Sequence, residues 1–221
     1  MKILKKIIWL FMLAPIVYLF SIWQQLPESV ALHFDINGNP DRYGSKKELW
    51  GSALLLLGVS IGVYLMITNI NRIDPKRYAK EMQDKYDKMA VAIALFLSVI
   101  HFFVISSASS GRISFSPGVV FALVSALFAV MGNYMYNIKP NYFIGIRVPW
   151  TLESEDNWKK THHLASRMWF VAGIIMAILT LLLPTTPGMI VFFAGTFLIT
   201  TIPIIYSYKL FIKERNQKNQ L

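Results

Sequence analysis

Histidine, arginine and acidic side chains gather in one polar stretch, residues 141–169, of an otherwise apolar chain. His162 and His163 are the side chains best suited to hold a metal or move a proton. On a helix, however, adjacent residues point about 100° apart, so the two rings cannot easily ligate one metal. Glu155 lies seven residues before His162, too far along the helix for a compact site without other ligands. We therefore predict no catalytic residue, no metal and no cofactor here.

A second polar stretch, residues 26–47, has oxygen-bearing side chains at a spacing typical of calcium loops. Asp35, Asn37 and Asn39 fit the first positions of an EF-hand loop. That loop needs Gly at its sixth position and Glu at its twelfth, and these positions hold Pro40 and Lys46. The pattern therefore disfavours calcium.

The same stretch has the alternation of a β-strand. Val30, Leu32 and Phe34 alternate with other residues, and an Asn-Gly pair then offers a tight turn. We predict a small β-hairpin between the first two membrane spans. It is either a connector that closes the outer end of the bundle or a contact surface for something that arrives from outside. On the second interpretation the contact residues are His33, Asp35, Asn37, Gly38 and Asp41.

The composition places both stretches in a membrane protein. The 221 residues are 55% hydrophobic and only 15% charged, with a mean hydropathy of +0.47, whereas soluble domains carry about 25% charged residues. The net charge of +10 comes from short clusters between apolar runs, which argues against direct nucleic-acid binding. The absence of cysteine excludes disulfides and thiol chemistry.

Six apolar runs are each about the 20 residues that a helix needs to cross a bilayer. The first follows a basic start and could be read as a signal peptide, but it lacks a small-x-small cleavage site, so we interpret it as a retained span. The sequence therefore predicts an all-α integral membrane protein with six transmembrane helices, at residues 7–23, 50–70, 89–108, 119–136, 164–183 and 190–208.

The distribution of basic residues predicts the orientation of these spans. With the N-terminus inside, 18 of the 22 Lys and Arg residues lie on the inner side, so the positive-inside rule places both termini in the cytoplasm of a cell-membrane protein. The inner linker, 71–88, is charged, and we predict that Glu81–Lys85 and Asp84–Lys88 form ion pairs at helical spacing.

Several polar residues lie within or beside the spans. His101 is expected to be neutral and bonded to a serine or a carbonyl rather than to relay protons. Asn133 and Asn137 are four residues apart, on one helix face, and are predicted to bond to other helices. If they instead converged with Arg147 and His162 on an inner polar cavity, the chain would be a small transporter or a membrane enzyme.

The stretch 141–169, called the signature segment below, has a predicted local structure. Gly145 and Pro149 favour an ordered, non-helical loop, which holds Arg147 at the membrane interface because an arginine in mid-bilayer is costly. Ser154 suits the N-cap of a following helix. That helix should bury Trp158, His162 and their neighbours on one face as it runs into the fifth span.

The signature segment resembles the SdpI family of bacterial membrane proteins, whose pattern runs roughly N-x-x-x-G-[IL]-R-T-P-W-T-L. Val148 departs from the usual Thr. Residues 26–47 resemble the DUF1648 region that commonly precedes this signature. The resemblance implies a DUF1648-like region at 1–70, a linker at 71–88 and an SdpI-like four-span region at 89–221. The candidate functional residues in and beside the signature are Asn133, Asn141, Gly145, Arg147, Pro149, Trp150, Thr151, Trp158, Lys159 and His162.

The family resemblance also implies a role. The namesake of the family protects the producing cell from a secreted peptide toxin and tethers a transcriptional repressor at the membrane. By resemblance, the expected function is therefore non-enzymatic immunity, with possible signalling through repressor sequestration. Its expected partners are membrane lipid, a peptide toxin at the outer face and a cytoplasmic repressor. The transporter or membrane enzyme remains the alternative.

Overall fold

Six long apolar helices dominate the computed structural model, which describes residues 2–35, 38–75, 80–112 and 116–218. Within these ranges, six helices are long and apolar enough to cross a membrane, which confirms the predicted number of spans. They are α1 (Lys2–Ile22), α2 (Lys47–Thr68), α4 (Gln83–Ser110), α5 (Pro117–Met135), α7 (Glu155–Leu182) and α8 (Thr185–Lys218). Two short helices, α3 (Ile70–Ile73) and α6 (Pro149–Glu153), lie in the connections.

The predicted hairpin is present between α1 and α2. A 3-10 turn (Trp23–Gln25) leads into β1 (Ser29–Phe34), which pairs in antiparallel fashion with β2 (Pro40–Ser45). Gly38 has φ +86°, as a tight turn requires. The turn residue Asn37 lies outside the described residues. Val30 and Ala31 are both buried, against simple alternation, because the register is irregular just after Ala31.

The helices form two units of three. Helices α1, α2 and α4 pack together, as do α5, α7 and α8, and the main helix contact between the units is α4 against α5. At one end of the bundle, which we call the signature end, Lys5 of α1 pairs with Asp87 at the start of α4, with 2.5 Å between Nζ and Oδ2. The opposite end is the hairpin end, where β1 packs on α4.

The linker before α4 follows the prediction only in part. The Asp84–Lys88 pair forms, with 2.6 Å between Oδ2 and Nζ. Lys85 and Glu81, both within the described chain, do not pair; Lys85 Nζ instead donates to the carbonyl oxygen of Asn137 at 3.0 Å. Glu81 lies ahead of the first residue of α4, so the helical spacing that the prediction assumed does not exist there.

Small residues let α5 and α7 approach closely. A Cβ atom on Gly173 would lie 2.6 Å from the Ala129 backbone nitrogen and 2.7 Å from the Ser125 carbonyl oxygen. A Cβ on Gly132 would likewise lie 2.8 Å from the Ser166 carbonyl oxygen. Such close backbone contact is how helices associate in lipid, where no hydrophobic effect drives them together. This interface fixes the position from which α7 presents the signature residues.

Candidate functional site

The signature segment begins with a turn that the Asn141 side chain closes. Its Oδ1 accepts from the backbone nitrogens of Phe143 (2.9 Å) and Ile144 (2.6 Å), and its Nδ2 donates to the carbonyl oxygens of Lys139 (3.0 Å) and Ile144 (2.9 Å). Asn141 is buried, so these bonds satisfy an amide that would otherwise be costly. The side chain therefore acts as a template for the backbone of 139–144.

His162 holds the next part of the loop. The Ile146 N–H donates to His162 Nε2 at 2.9 Å, so the ring proton lies on Nδ1, which donates to the Trp158 carbonyl oxygen at 2.8 Å. The ring also stacks on Trp158, with 4.0 Å between centroids. Both nitrogens of this buried ring are thus committed to backbone groups. In this arrangement His162 positions the loop and has no lone pair left for a metal.

Gly145 is required where the loop passes the His162 ring. Its φ is +114°, a conformation that side chains disfavour. A Cβ there would lie 2.4 Å from His162 Nε2 and 3.3 Å from the far edge of Trp158. The loop can therefore deliver the Ile146 N–H to the ring only if residue 145 has no side chain.

Arg147 lies exposed at the rim, and its guanidinium donates to the Tyr142 carbonyl oxygen. A backbone carbonyl oxygen is thus the partner of Arg147 in this loop. The neighbouring Tyr142 N–H donates at 3.0 Å to a carboxylate oxygen of Asp74, a buried residue just after α3. The loop is thereby tied to the first three-helix unit.

The non-helical prediction for 145–150 is correct only as far as Val148. Val148 is extended (φ −98°, ψ 155°), as a residue before proline should be, but Pro149 then opens α6. Proline suits this first helical position because its missing N–H is not needed there. The Thr151 hydroxyl lies 2.8 Å from the Ile146 carbonyl oxygen, and Trp150 Nε1 donates to Ser207 Oγ of α8 at 2.8 Å.

The predicted cap of α7 is confirmed: Ser154 Oγ accepts from the Asn157 N–H at 3.1 Å. The predicted amphipathic face is confirmed too, since Trp158, His162 and Ala165 are buried while Lys159 is exposed. Trp158 is only 1% exposed, and its Nε1 donates to the Ile138 carbonyl oxygen at 2.8 Å.

Trp158 also joins the two helix units. It belongs to a buried cluster whose other members come from α1, α2, α3, α4 and the chain just after α5, namely Ile8, Met12, Tyr64, Ile67, Ile70, Tyr86, Ala90, Ala94 and Ile138. Because α7 is part of the second unit, the packing of the Trp158 indole in this cluster joins the second unit to the core of the first.

Of the four residues expected to line an inner polar cavity, Asn137 borders one, of about 530 Å³, whereas Asn133, Arg147 and His162 are not among its lining residues. Asn133 and Asn137 are exposed, and neither side-chain amide bonds to another helix within the described residues, so the prediction that they bond to other helices is wrong. They lie in the last turn of α5 or beyond it, where an amide can face headgroups and needs no partner helix. His162 and Arg147 are bonded to loop backbone. His101, also singled out, is buried with no partner for Nε2 among the described residues, since Ser98 bonds within its own helix.

Three contributors escaped the sequence analysis. Asp74 receives the Tyr142 N–H, Asn157 Nδ2 donates to the Ser207 carbonyl oxygen at 2.9 Å, and Ser207 accepts from Trp150. All three are buried polar residues: Asp74 follows α3, and Asn157 and Ser207 lie within α7 and α8. A polar residue on the buried face of a helix could be recognised as such a contributor, but the sequence alone does not show which face of the helix is exposed to lipid.

At the hairpin end, the structure contains an apolar cavity of about 420 Å³ between the hairpin, α2, α4 and the start of α5. Its polar lining is confined to a few groups. The lining residues are Ala31, Leu32, His33, Phe34, Arg42, Glu48, Leu49, Ser52, Ile100, Phe103, Val104, Ser107, Ala108 and Val120.

The remaining outer residues singled out in the sequence stabilise the hairpin itself. His33 Nδ1 lies 2.5 Å from Asp41 Oδ1 across the two strands. Asp35 Oδ1 accepts from the Asn39 N–H at 2.8 Å, and the Asp35 carbonyl oxygen accepts from the Gly38 N–H at 3.0 Å. These bonds are those of a turn, so the D-x-N-x-N spacing serves the hairpin geometry.

Two family models match separate parts of the chain. Residues 137–207 match the model of the SdpI/YfhL protein family, and residues 10–57 match that of DUF1648, a domain of unknown function. The Immunity protein SdpI of Bacillus subtilis (strain 168) is 32% identical over 89 residues, which cover 40% of this chain and 38% of that protein. The match thus spans well under two thirds of that relative. No solved structure matches the chain significantly.

Proposed function

Because this chain belongs to the SdpI/YfhL family and carries a DUF1648 region, we propose that it is a non-enzymatic immunity protein of the cell membrane. It protects its host from a secreted peptide toxin that it meets at the hairpin end. The similarity to an immunity protein supports the general role. The apolar cavity lies at the hairpin end, whereas the polar groups at the signature end are bonded to backbone. This difference supports placing the toxin contact at the hairpin end.

The observation that carries this proposal is the cavity at the hairpin end. Its volume of about 420 Å³ lies within the range of about 300–1,000 Å³ that is typical of ligand pockets. Its lining is mainly apolar, with Arg42 and Glu48 as charged groups. Such a site suits an apolar side chain of a peptide whose polar backbone stays near the rim.

The signature end is less suited to chemistry or to transport. The polar atoms of Asn141, His162 and Thr151 are bonded to nearby backbone groups. Groups that hold a loop in this way cannot also turn over a substrate without releasing it. We therefore assign the signature segment the role of a brace, which favours the immunity role over the transporter and enzyme alternatives.

A bulky residue in the cavity should abolish protection. Val104 lines the cavity and is 39% exposed, so we expect Val104→Trp to fill it without disrupting a core. In a sensitive host challenged with the cognate secreted toxin peptide, the wild type should raise the inhibitory concentration. Val104→Trp should lower that gain at least about tenfold, the equivalent of about 1.4 kcal/mol of binding.

Val130→Trp is the matched control, because Val130 is 38% exposed on α5 and does not line the cavity. Equal membrane levels of the three proteins are verified by immunoblot. Unchanged killing with the wild type would refute immunity itself. Full protection by Val104→Trp would be consistent with immunity but would show that the cavity does not bind the toxin.

The orientation that this proposal needs can be measured directly, since the chain has no cysteine of its own. Lys47 and Lys213 are both exposed, at the hairpin end and near the end of α8 respectively. With both termini in the cytoplasm, a membrane-impermeant maleimide should label Lys47→Cys in intact cells, and Lys213→Cys only after permeabilisation. The reverse pattern would place the cavity inside the cell and contradict the proposal.

Repressor binding, the second role that the family resemblance implies, would take place at the signature end under this orientation. The exposed side chains there include Tyr142, Arg147 and Lys159. Recruitment of a cytoplasmic transcriptional repressor to membranes that contain this protein would support the role. Identical repressor distribution with and without the protein would exclude it.

A further inference from the structure

A second cavity, of about 530 Å³, lies at the signature end, away from the hairpin cavity. It opens where the start of α4, the chain after α5 and the start of α7 come together. Each of these three elements contributes one lysine to the lining: Lys85, Lys139 and Lys159. Because the three lysines border one cavity, their like charges oppose one another, and an anion bound in the cavity would relieve that repulsion.

The acidic groups of the cavity do not cancel this charge. Glu155 and Asp156 also line it, but Asp156 is paired with Lys160, which lies outside the lining, at 2.5 Å. Glu155 and Lys139 each take part in a further interaction, so Lys85 and Lys159 carry most of the uncompensated charge. Lys85 donates to the uncharged carbonyl oxygen of Asn137. Counting Lys160, four cations face two carboxylates, so the site retains an excess of positive charge.

One wall of the cavity is aromatic and has a further cation behind it. Tyr136 stacks on His163, with 4.2 Å between ring centroids and 3° between ring planes. The guanidinium of Arg167 lies 5.9 Å from the Tyr136 ring centroid. Tyrosine beside basic residues at the ends of membrane spans is the usual composition of the headgroup layer.

We propose that this cavity binds the phosphate of an anionic phospholipid, with Lys85, Lys139 and Lys159 as its ligands. Its depth supports a lipid source, because it lies at the ends of three membrane helices, where headgroups are concentrated. The acyl chains then extend along the lipid-exposed surface near α4 and α5. Bound lipid would bridge the two helix units beside the α4–α5 contact.

The test is retention of lipid by the purified protein. The protein is reconstituted in nanodiscs of phosphatidylcholine with 10–20% phosphatidylglycerol, roughly the charge of an anionic leaflet, extracted, and examined by native mass spectrometry. The wild type should retain phosphatidylglycerol over phosphatidylcholine. Replacing the three cavity lysines with Gln should lower that retention about tenfold, and Lys159→Gln alone, at an exposed position, should give a smaller loss.

The matched control removes the same charge at the same end: Lys6, Lys209 and Lys213, all exposed and outside the cavity, are replaced with Gln. It should keep the lipid, and all variants should elute as the wild type does on size exclusion. Equal loss in the control and in the cavity variant would overturn the proposal, since charge alone would explain it. Displacement of the lipid by millimolar inorganic phosphate would show that free phosphate, not lipid, is the ligand.

Discussion

Replacing Gly145 with alanine should destabilise the folded protein by about 2–6 kcal/mol. Alanine at φ +114° incurs backbone strain of about 1–3 kcal/mol. Its Cβ would also lie 2.4 Å from His162 Nε2, so the ring or the loop must move and the bond from the Ile146 N–H is lost. A buried group left without its partner costs a further ~1–3 kcal/mol. The free energy of unfolding in mixed micelles, titrated with SDS, measures the change.

Gly111→Ala separates the two contributions. Gly111 also has positive φ (+67°), but a Cβ there meets nothing within 4 Å. It should therefore show only the strain, about 1 kcal/mol, and the excess loss in Gly145→Ala reports the contact with His162. If the two variants lost equal stability, His162 would not be holding the loop, and the brace interpretation of the signature segment would fail.

The local structure of the signature segment could be predicted because it depends on neighbours in sequence. The positive φ of Gly145, the extended Val148 before a proline and the cap at Ser154 each follow from one residue type and its position. The role of His162 could not be predicted. The Ile146 N–H, which donates to His162 Nε2, lies 16 residues away in sequence and meets the ring only after the loop folds back on α7.

The same distinction applies to the fold. Six spans could be predicted because hydropathy is a property of each segment alone, and the structure contains all six. The pairing of the helices could not be predicted, because all six spans have similar apolar surfaces and hydropathy does not distinguish one partner from another. Asn133 shows the risk of guessing: its amide suggested an interhelical bond, yet it is exposed, and the nearby Gly132 makes the contact instead.

The signature segment connects the two regions of the chain that match family models. DUF1648 matches α1, the hairpin and the start of α2, whereas the SdpI/YfhL model matches the signature and the helices after it. Trp158 and the Tyr142–Asp74 bond cross from the second region to the first unit. The segment is thus placed to couple the hairpin-bearing unit to the rest of the protein, so damage to it should also affect the hairpin end.

Replacing Gly173 with leucine should separate α7 from α5 and cost about 3 kcal/mol or more. The first added carbon would lie 2.6 Å from the Ala129 nitrogen and 2.7 Å from the Ser125 carbonyl oxygen. Both are backbone atoms and cannot rotate away, so the helices themselves must move apart. That movement also shifts Trp158 and His162, which lie on the same helix. The expected result is a large fall in folded protein by fluorescence-detected size exclusion, and in unfolding free energy where enough survives.

Gly58→Leu provides the control for adding leucine to a span. Gly58 is exposed on α2, and a Cβ there meets nothing within 4 Å. Leucine also has a higher helix propensity than glycine by nearly 1 kcal/mol, so this variant should be as stable as the wild type or slightly more so. Gly173→Ala should already be destabilised, because it adds the one atom that collides. A stable Gly173→Ala would mean that α5 and α7 can part without loss, and that the close helix contact does not hold the second unit together.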